Sequence, residues 1–149
     1  MRWILGTALL ASVALSGPAR AQNCAATIES NDQIQFVQKE LTVSTSCKAF
    51  SLTLKHIGTL PKNIMGHNWV LTTTPDYQAV AQAGQNAGLD QNYVPPNDAR
   101  VLAATSIIGG GEETTISFDP SMLEPGGDYT YFCSFPAHFA LMFGKLVVN

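Results

Sequence analysis

Short runs of β-prone residues recur along most of this chain, and turn-forming residues separate them. The clearest run covers residues 50–57, where Phe50, Leu52 and Leu54 alternate with polar neighbours. A period of two is typical of a strand with one buried face. Many short strands with frequent turns predict an all-β fold, here a Greek-key β-sandwich of about eight strands. The candidate strands are residues 25–29, 33–37, 41–44, 50–57, 67–73, 101–106, 114–118, 128–132 and 145–148.

One segment interrupts the strand pattern and predicts a short helix. Thr74 can cap a helix, Pro75 suits its first turn, and Asp76 is favourable near the positive end of the helix dipole. Residues 77–87 are rich in Ala and Gln, and Gly88 can end the helix. We expect this helical insertion to pack outside the sandwich.

The beginning of the chain has the pattern of a secretory signal peptide. Arg2 supplies a positive start, residues 3–15 form an apolar run too short to span a bilayer, and residues 19–21 form an A-x-A cleavage site. We expect cleavage of residues 1–21 after Ala21, so that residues 22–149 form a single exported domain. No second apolar span follows, and we expect no stable membrane anchor.

The charge balance excludes some classes of partner. The chain has 8 Lys or Arg and 11 Asp or Glu residues, and loss of Arg2 and Arg20 with the signal peptide leaves a net charge of about −5. The basic residues form no cluster. This pattern argues against nucleic acid or an anionic membrane as a partner.

The three cysteines raise the question of which one is unpaired in an exported chain. Cys24 and Cys47 bracket the first predicted strands and can form a disulfide in an oxidising compartment. Cys133 is then the odd cysteine, and metal ligation would protect its thiolate from oxidation.

The odd cysteine belongs to a segment with the spacing C-x4-H-x3-M, formed by Cys133, His138 and Met142. A thiolate and an imidazole with a weak thioether favour a soft or borderline metal, and a Cys with two His and an axial Met is the ligand set of blue copper sites. The simplest alternative is coincidence, since buried Cys and Met often serve as apolar filler. A catalytic Cys–His pair is a second alternative, but no signature of its partners accompanies it. These residues alone leave a metal site and coincidence both open, and they disfavour catalysis.

The second imidazole must come from elsewhere in the chain. His56 shares the parity of the apolar residues in its predicted strand, so it should face the core. His67 follows Gly66 at a loop-to-strand corner, where a rigid scaffold can present a ligand. Gly66 has no Cβ and allows close backbone approach. We predict that His67 is the ligand and that His56 is a core residue.

Two stretches resemble the copper-ligand segments of the azurins, a family of type 1 blue copper proteins with the cupredoxin fold. They are residues 63–71, which contain G-H-N-W, and residues 132–142, which contain C-x4-H-x3-M. The resemblance covers essentially the whole chain after the signal peptide. It implies one copper per chain, with a trigonal His–Cys–His set and two distant axial donors. The implied metal-site residues are Gly66, His67, Cys133, His138 and Met142.

The resemblance also assigns roles to residues around the metal. Asn68 would brace the two ligand segments, and the Phe135 N–H would donate a hydrogen bond to the Cys133 sulfur. Such bonds orient ligands and tune the reduction potential. Cys24 and Cys47 match the disulfide of the family.

The implied function is that of a periplasmic shuttle, which carries single electrons by cycling copper between Cu(II) and Cu(I). Its partners would be periplasmic redox proteins, namely c-type cytochromes and a reductase or dehydrogenase, and the chain would act as a monomer. Copper storage or delivery is the alternative function. Sites for delivery use few ligands and expose them, so that the metal can be exchanged. Four ligands from separate parts of one scaffold fit retention of the metal better.

Electrons should leave through His138, whose ring edge we expect to reach the surface while His67 stays covered. The surrounding apolar patch is predicted to comprise Leu60, Ile64, Met65, Pro136 and Ala137.

Three positions depart from the common azurin pattern. Ala137 replaces a Gly, Gln85 stands where a Met is frequent, and Phe143 replaces a polar residue. These departures leave the preferred partner open.

Overall fold

The computed structural model describes residues 23–149, and the predicted signal peptide lies outside them. Within this range the chain forms two packed sheets, with strand orders β2-β1-β4-β7 and β3-β9-β8-β5-β6. The sandwich predicted from the alternating pattern is therefore confirmed. The strands are β1 (Ala25–Asn31), β2 (Gln35–Phe36), β3 (Glu40–Val43), β4 (Phe50–His56), β5 (Val70–Thr73), β6 (Ala103–Ala104), β7 (Glu113–Phe118), β8 (Tyr129–Phe132) and β9 (Phe143–Val148).

Alternation along β4 places its apolar side chains in the core. Leu52 and Leu54 are fully buried, whereas Lys55 is exposed. Trp69 lies between the sheets and stacks against Phe118 and Tyr131, at ring-centroid distances of 6.1 and 5.8 Å. Burial of each large apolar side chain contributes roughly 1.5–3 kcal/mol. This core forms the rigid support for the loops at one end of the sandwich.

Both sheets are mixed, because each contains one parallel pair. β1 pairs with β4 in parallel, and β3 pairs with β9 in parallel. The remaining ladders are antiparallel, including β8 with both β5 and β9. β8 is therefore an interior strand of its sheet, and pairing on both sides fixes the strand that leads into Cys133.

The helical insertion is present as α2 (Tyr77–Ala87), preceded by a 3-10 turn at Thr74–Asp76. The predicted cap is wrong, since Thr74 lies within the 3-10 turn and its hydroxyl donates to the Asp128 carboxylate at 2.8 Å instead of accepting a helix N–H. A four-residue helix, α1 (Lys62–Met65), was not predicted. Two more 3-10 turns occur at Leu89–Gln91 and Pro120–Met122.

A glycine in the middle of α2 has a structural reason. A Cβ at Gly84 would collide with the carbonyl oxygen of Tyr93, so glycine lets the return loop lie directly on the helix. On its sheet-facing side α2 buries Val80 and Ala81 against Val70 and Phe132. The helix therefore packs outside the sandwich, as expected, and beside the strand that precedes Cys133.

Several predicted strands are shorter than expected. Residues 33–37 and 101–106 contribute only two paired residues each. The predicted strand at 67–73 begins at Val70, although His67 forms an isolated bridge to Ile108.

Cys24 and Cys47 form the expected disulfide. Across residues 23–149, the helices are too short or too polar to cross a membrane.

Candidate metal centre

Three predicted donors meet at one end of the sandwich. Cys133 directly follows β8, His138 lies in the loop between β8 and β9, and His67 lies just before β5. The Cys133 Sγ is 3.8 Å from the His67 Nδ1 and 3.6 Å from the His138 Nδ1. All three ligand atoms lie within 4.8 Å of one another, close enough for a single ion to contact each.

Backbone hydrogen bonds close the loop that carries two of these donors. The Cys133 N–H donates to the Met142 carbonyl at 3.0 Å, and the Met142 N–H donates to the His138 carbonyl at 2.8 Å. Between them, Ala137 has a φ of 65°, in the left-handed region that glycine adopts most readily. The departure from Gly at this position therefore retains a backbone conformation suited to glycine.

The orientation of the His67 ring is set from the opposite sheet. Its Nε2 lies 2.9 Å from the Asn31 carbonyl oxygen, at the end of β1. A carbonyl only accepts, so Nε2 carries the proton and Nδ1 turns its lone pair toward Cys133. Fixing the tautomer through the second ring nitrogen is the usual way in which proteins prepare a histidine ligand.

Gly66 allows the backbone to pass close to the cluster. A Cβ at this position would collide with the Lys62 carbonyl oxygen and crowd Ile107. The Gly66 carbonyl oxygen lies 3.9 Å from the Cys133 Sγ. Met142 is fully buried and belongs to the same apolar cluster as Cys133. The Gly66 carbonyl therefore lies beside the cluster, and the Met142 backbone is hydrogen-bonded to Cys133.

Burial adjusts the protonation of the three donors. It lowers the pKa of His67 and of His138 to about 4, so both imidazoles are neutral at pH 7. It also raises the pKa of the Cys133 thiol to about 12, although N–H groups of Asn68 and Phe135 oppose that rise. Two neutral imidazoles and one thiol, whose proton a metal displaces, form a donor set that fits copper.

A buried hydrogen-bond cluster joins the two ligand segments. The Ser134 N–H donates to the Asn68 Oδ1, and the Asn68 Nδ2 donates to the Ser134 hydroxyl, both at 2.8 Å. The same Nδ2 donates to the Asn92 carbonyl at 2.8 Å. Asn92 itself accepts the Ile107 N–H through its side chain at 2.8 Å. The expected brace at Asn68 is thus observed.

Sequence reasoning missed Asn92 and the contact made by Gln85. Asn92 has a φ of 55° after the turn that follows α2, and asparagine is among the few residues that tolerate this conformation. The Gln85 Nε2 donates to the Ser134 carbonyl at 3.0 Å. No local pattern signals that contact, because it joins the helix to a loop far along the chain.

The remaining histidine, His56, lies outside the donor cluster. It is fully buried, as the alternation predicted, and its Nε2 lies 3.0 Å from the Asp32 carboxylate. Its ring packs edge-on against His67 at 4.4 Å between centroids.

The observed surface exposure of His138 is much smaller than the sequence predicted. Only 3% of His138 is exposed, against 0% for His67, since Phe135 packs on its ring at 4.7 Å.

Two mixed sheets with a buried His–Cys–His cluster at one end define a cupredoxin, a β-sandwich protein that binds copper. Comparison with known proteins agrees. The family of copper-binding proteins described as plastocyanin/azurin matches residues 22–149. An azurin from Achromobacter denitrificans is 54% identical over 148 residues, covering 98% of this chain and 99% of its own. An azurin from Pseudomonas aeruginosa is 49% identical over 135 residues, covering 91% of each chain.

A solved structure extends the comparison to three dimensions. It is the azurin Az-iso2 from the obligate methylotroph Methylomonas sp. strain J, with a TM-score of 0.82 and 44% identity. The match covers 86% of this chain and 99% of that one. The chain belongs to the plastocyanin/azurin family of copper-binding proteins. It is a blue copper protein that transfers electrons and is not an enzyme.

Proposed function

We propose that His67, Cys133 and His138 would hold one copper in this protein, with the Met142 thioether and the Gly66 carbonyl as weaker donors. The observation that supports the ligand set is the convergence of three ligand atoms within 4.8 Å. The Asn31 bond to His67 adds to it, because this bond leaves Nδ1 free for a metal. Copper bound there gains and loses one electron as it cycles between Cu(II) and Cu(I).

The protein fixes the positions of the donor atoms and excludes water from them. His67 and Cys133 are fully buried, and hydrogen bonds fix the loops that carry them. A site that changes little between two oxidation states requires little rearrangement during electron transfer. The same burial opposes copper storage or delivery, since exchange with a partner needs accessible donors. Electron transfer is therefore the function that the site supports best.

We place the protein in the periplasm, as a monomer. Residues 1–21 would act as a signal peptide that is cleaved after Ala21, leaving residues 22–149 as a single cupredoxin domain. The disulfide between Cys24 and Cys47 supports export, because such bonds persist in oxidising compartments. Mass spectrometry of the exported protein should give an N-terminus at Gln22.

Periplasmic redox proteins are the proposed partners, with c-type cytochromes and a reductase or dehydrogenase as the main classes. Apolar side chains near the two ligand segments support brief docking. Leu60 is 37% exposed and Ile64 60% exposed, and Ala137 next to His138 is also exposed. Patches of this kind often mark interaction sites. His138, with its small exposed fraction, gives the shortest route from the site to a docked partner.

Copper(II) added to the purified metal-free protein tests the proposal. An intense blue colour at one equivalent is the expected result, because a thiolate ligand gives a strong charge-transfer band. His67→Gly should open a position for added imidazole, and His56→Gln should keep the original spectrum. A colourless complex, or opposite behaviour of the two histidine variants, would contradict the ligand set.

A further inference from the structure

One peptide group next to the metal site is hydrogen-bonded at both ends. Its N–H, from Phe135, is one of two backbone donors that counteract the rise of the Cys133 pKa caused by burial. Its carbonyl, from Ser134, accepts a hydrogen bond from the Gln85 side chain at 3.0 Å. The side chain of Gln85 is therefore connected to the Cys133 sulfur through a single peptide unit.

The direction of the Gln85 bond follows from its surroundings. The Nε2 group also lies 3.1 Å from the Ala81 carbonyl one turn earlier in α2. Two carbonyl acceptors can be satisfied only by the amide nitrogen, so the side chain donates to Ser134. Because α2 packs on Phe132 through Val80 and Ala81, the donor is attached to a fixed element.

Hydrogen bonds in a chain polarise one another. A donor at the Ser134 carbonyl draws electron density from the peptide and makes the Phe135 N–H a stronger donor. A stronger N–H bond to sulfur withdraws charge from the thiolate. Copper(II) depends more than copper(I) on electron donation from sulfur, and hydrogen bonding around this sulfur is one of the factors that set the reduction potential.

We propose that Gln85 is a positioning residue that raises the reduction potential of the copper site, by polarising the Ser134–Phe135 peptide that donates to Cys133. This inference rests on the proposed role of Cys133 as a copper ligand. It also gives a function to one of the departures from the azurin pattern, since the methionine frequent at this position has no N–H to donate. The rival explanation is that Gln85 only ties the helix to the loop.

Gln85→Met removes the donor with little change in volume, and Gln82→Met is its matched control. Gln82 belongs to the same helix and is exposed. The first measurement is the proton chemical shift of the Phe135 amide in the metal-free protein. We expect it to move upfield in Gln85→Met, as a weaker hydrogen bond requires, and to stay unchanged in Gln82→Met.

The second measurement is the reduction potential of the copper-loaded variants. Gln85→Met should have a lower potential than the native protein, and Gln82→Met should match it. An unchanged potential in Gln85→Met overturns the inference. A lower potential without the Phe135 shift also overturns it, and indicates a mechanical tie in place of polarisation.

Failure of the underlying function gives a different result. If native protein with copper(II) lacks the intense blue band, the ligand assignment fails. The amide shift, measured without metal, still reports whether Gln85 polarises the peptide. Thermal unfolding of both metal-free variants supplies the structural reference, because a tie acts on stability and not on the shift of one amide proton.

Discussion

Two regions of the molecule use cysteine sulfur in opposite ways. Cys24, before β1, and Cys47, after β3, are joined by a disulfide that links positions 23 residues apart. Cys133, at the far end of β8, remains a buried thiol next to two imidazoles. The first region holds the chain with a covalent bond, and the second holds donor atoms in place with hydrogen bonds.

The difference shows how one chain separates stability from chemistry. The disulfide constrains the unfolded chain and does not depend on protonation in the neutral range. The ligand region keeps groups ready for a metal by burying them neutral, which makes that region sensitive to pH. Changes at one region should therefore leave the properties of the other nearly intact.

Loss of the thiol at the ligand end should have the largest effect. Cys133→Ser should abolish the intense blue absorption completely, since a hydroxyl cannot give the thiolate charge-transfer band. Circular dichroism should show a retained β-sandwich, because the hydroxyl occupies nearly the same volume. The double variant Cys24→Ser/Cys47→Ser is the control and should remain blue. Full colour in Cys133→Ser would refute the assignment.

Loss of the disulfide should act on stability alone. For a loop that spans a separation of 23 residues, the chain-entropy model gives about 3 kcal/mol of stabilisation. Urea unfolding of the metal-free Cys24→Ser/Cys47→Ser variant should show a loss of about that size. Its reduction potential after copper loading should match that of the native protein. A shifted potential would mean that the two regions are coupled.

A pH series should separate the two regions further. In the metal-free protein the pKa values of His67 and His138 are about 4, below the ordinary 6.5. Between these limits the unfolded chain binds more protons than the folded one, so stability is full above pH 6.5 and falls as the pH drops toward 4. Unfolding free energies measured at pH 7, 6 and 5 should show this decline.

The pH series has two controls. Replacing one of the two groups, as in His138→Gln, should make the decline less steep. The disulfide variant should run parallel to the native protein, because its loss of stability is the same at each pH. A native curve that is flat from pH 7 to pH 5 would contradict burial of the two histidines in their neutral form.

A smaller change is expected at the axial position. Met142→Leu keeps a buried apolar side chain and removes a weak sulfur donor. Copper should stay bound, and the reduction potential should rise because less electron density reaches copper(II). Cyclic voltammetry measures the shift. Complete loss of copper would show that Met142 is a primary ligand.

The smallest effect concerns docking. Met65→Lys places a charge within the predicted patch, and that charge must lose water whenever an apolar partner binds. Electron self-exchange, measured by NMR line broadening, should slow several-fold, with colour and potential unchanged. Met122→Lys is the matched control, since Met122 is 48% exposed and precedes the start of β8, whereas Cys133 follows its end. Equal slowing in both variants would exclude a role for the patch.

The sequence predicted the ligand cluster well for a physical reason. Two of its donors lie within one loop, strand parity assigned His56 to the core, and the loop-to-strand corner after Gly66 pointed to His67. The main strands were also evident, because alternation in β4 directly reflects which side chains face the core. Strand lengths were less accurate. The segments at β2 and β6 have suitable residues but pair over two positions only.

The missed features depend on contacts between parts of the chain that are distant in sequence. Gln85 and Asn92 reach Ser134 and Asn68 only after α2 and its return loop have packed. The burial of His138 depends on the ring of Phe135, whose orientation no local pattern reveals. The predicted cap at Thr74 fails because its hydroxyl is turned toward Asp128, which comes just before β8 and is distant in sequence.

The place of β9 in its sheet has a consequence for the biogenesis of the protein. β9 follows the ligand loop, yet it lies between β8 and β3 and pairs with both. The sheet that presents His67 and Cys133 is therefore incomplete until the chain beyond the loop has been made and has inserted. Such pairing between distant segments is slow to form. A chain that crosses a membrane unfolded would arrive without copper, and metal loading would follow folding.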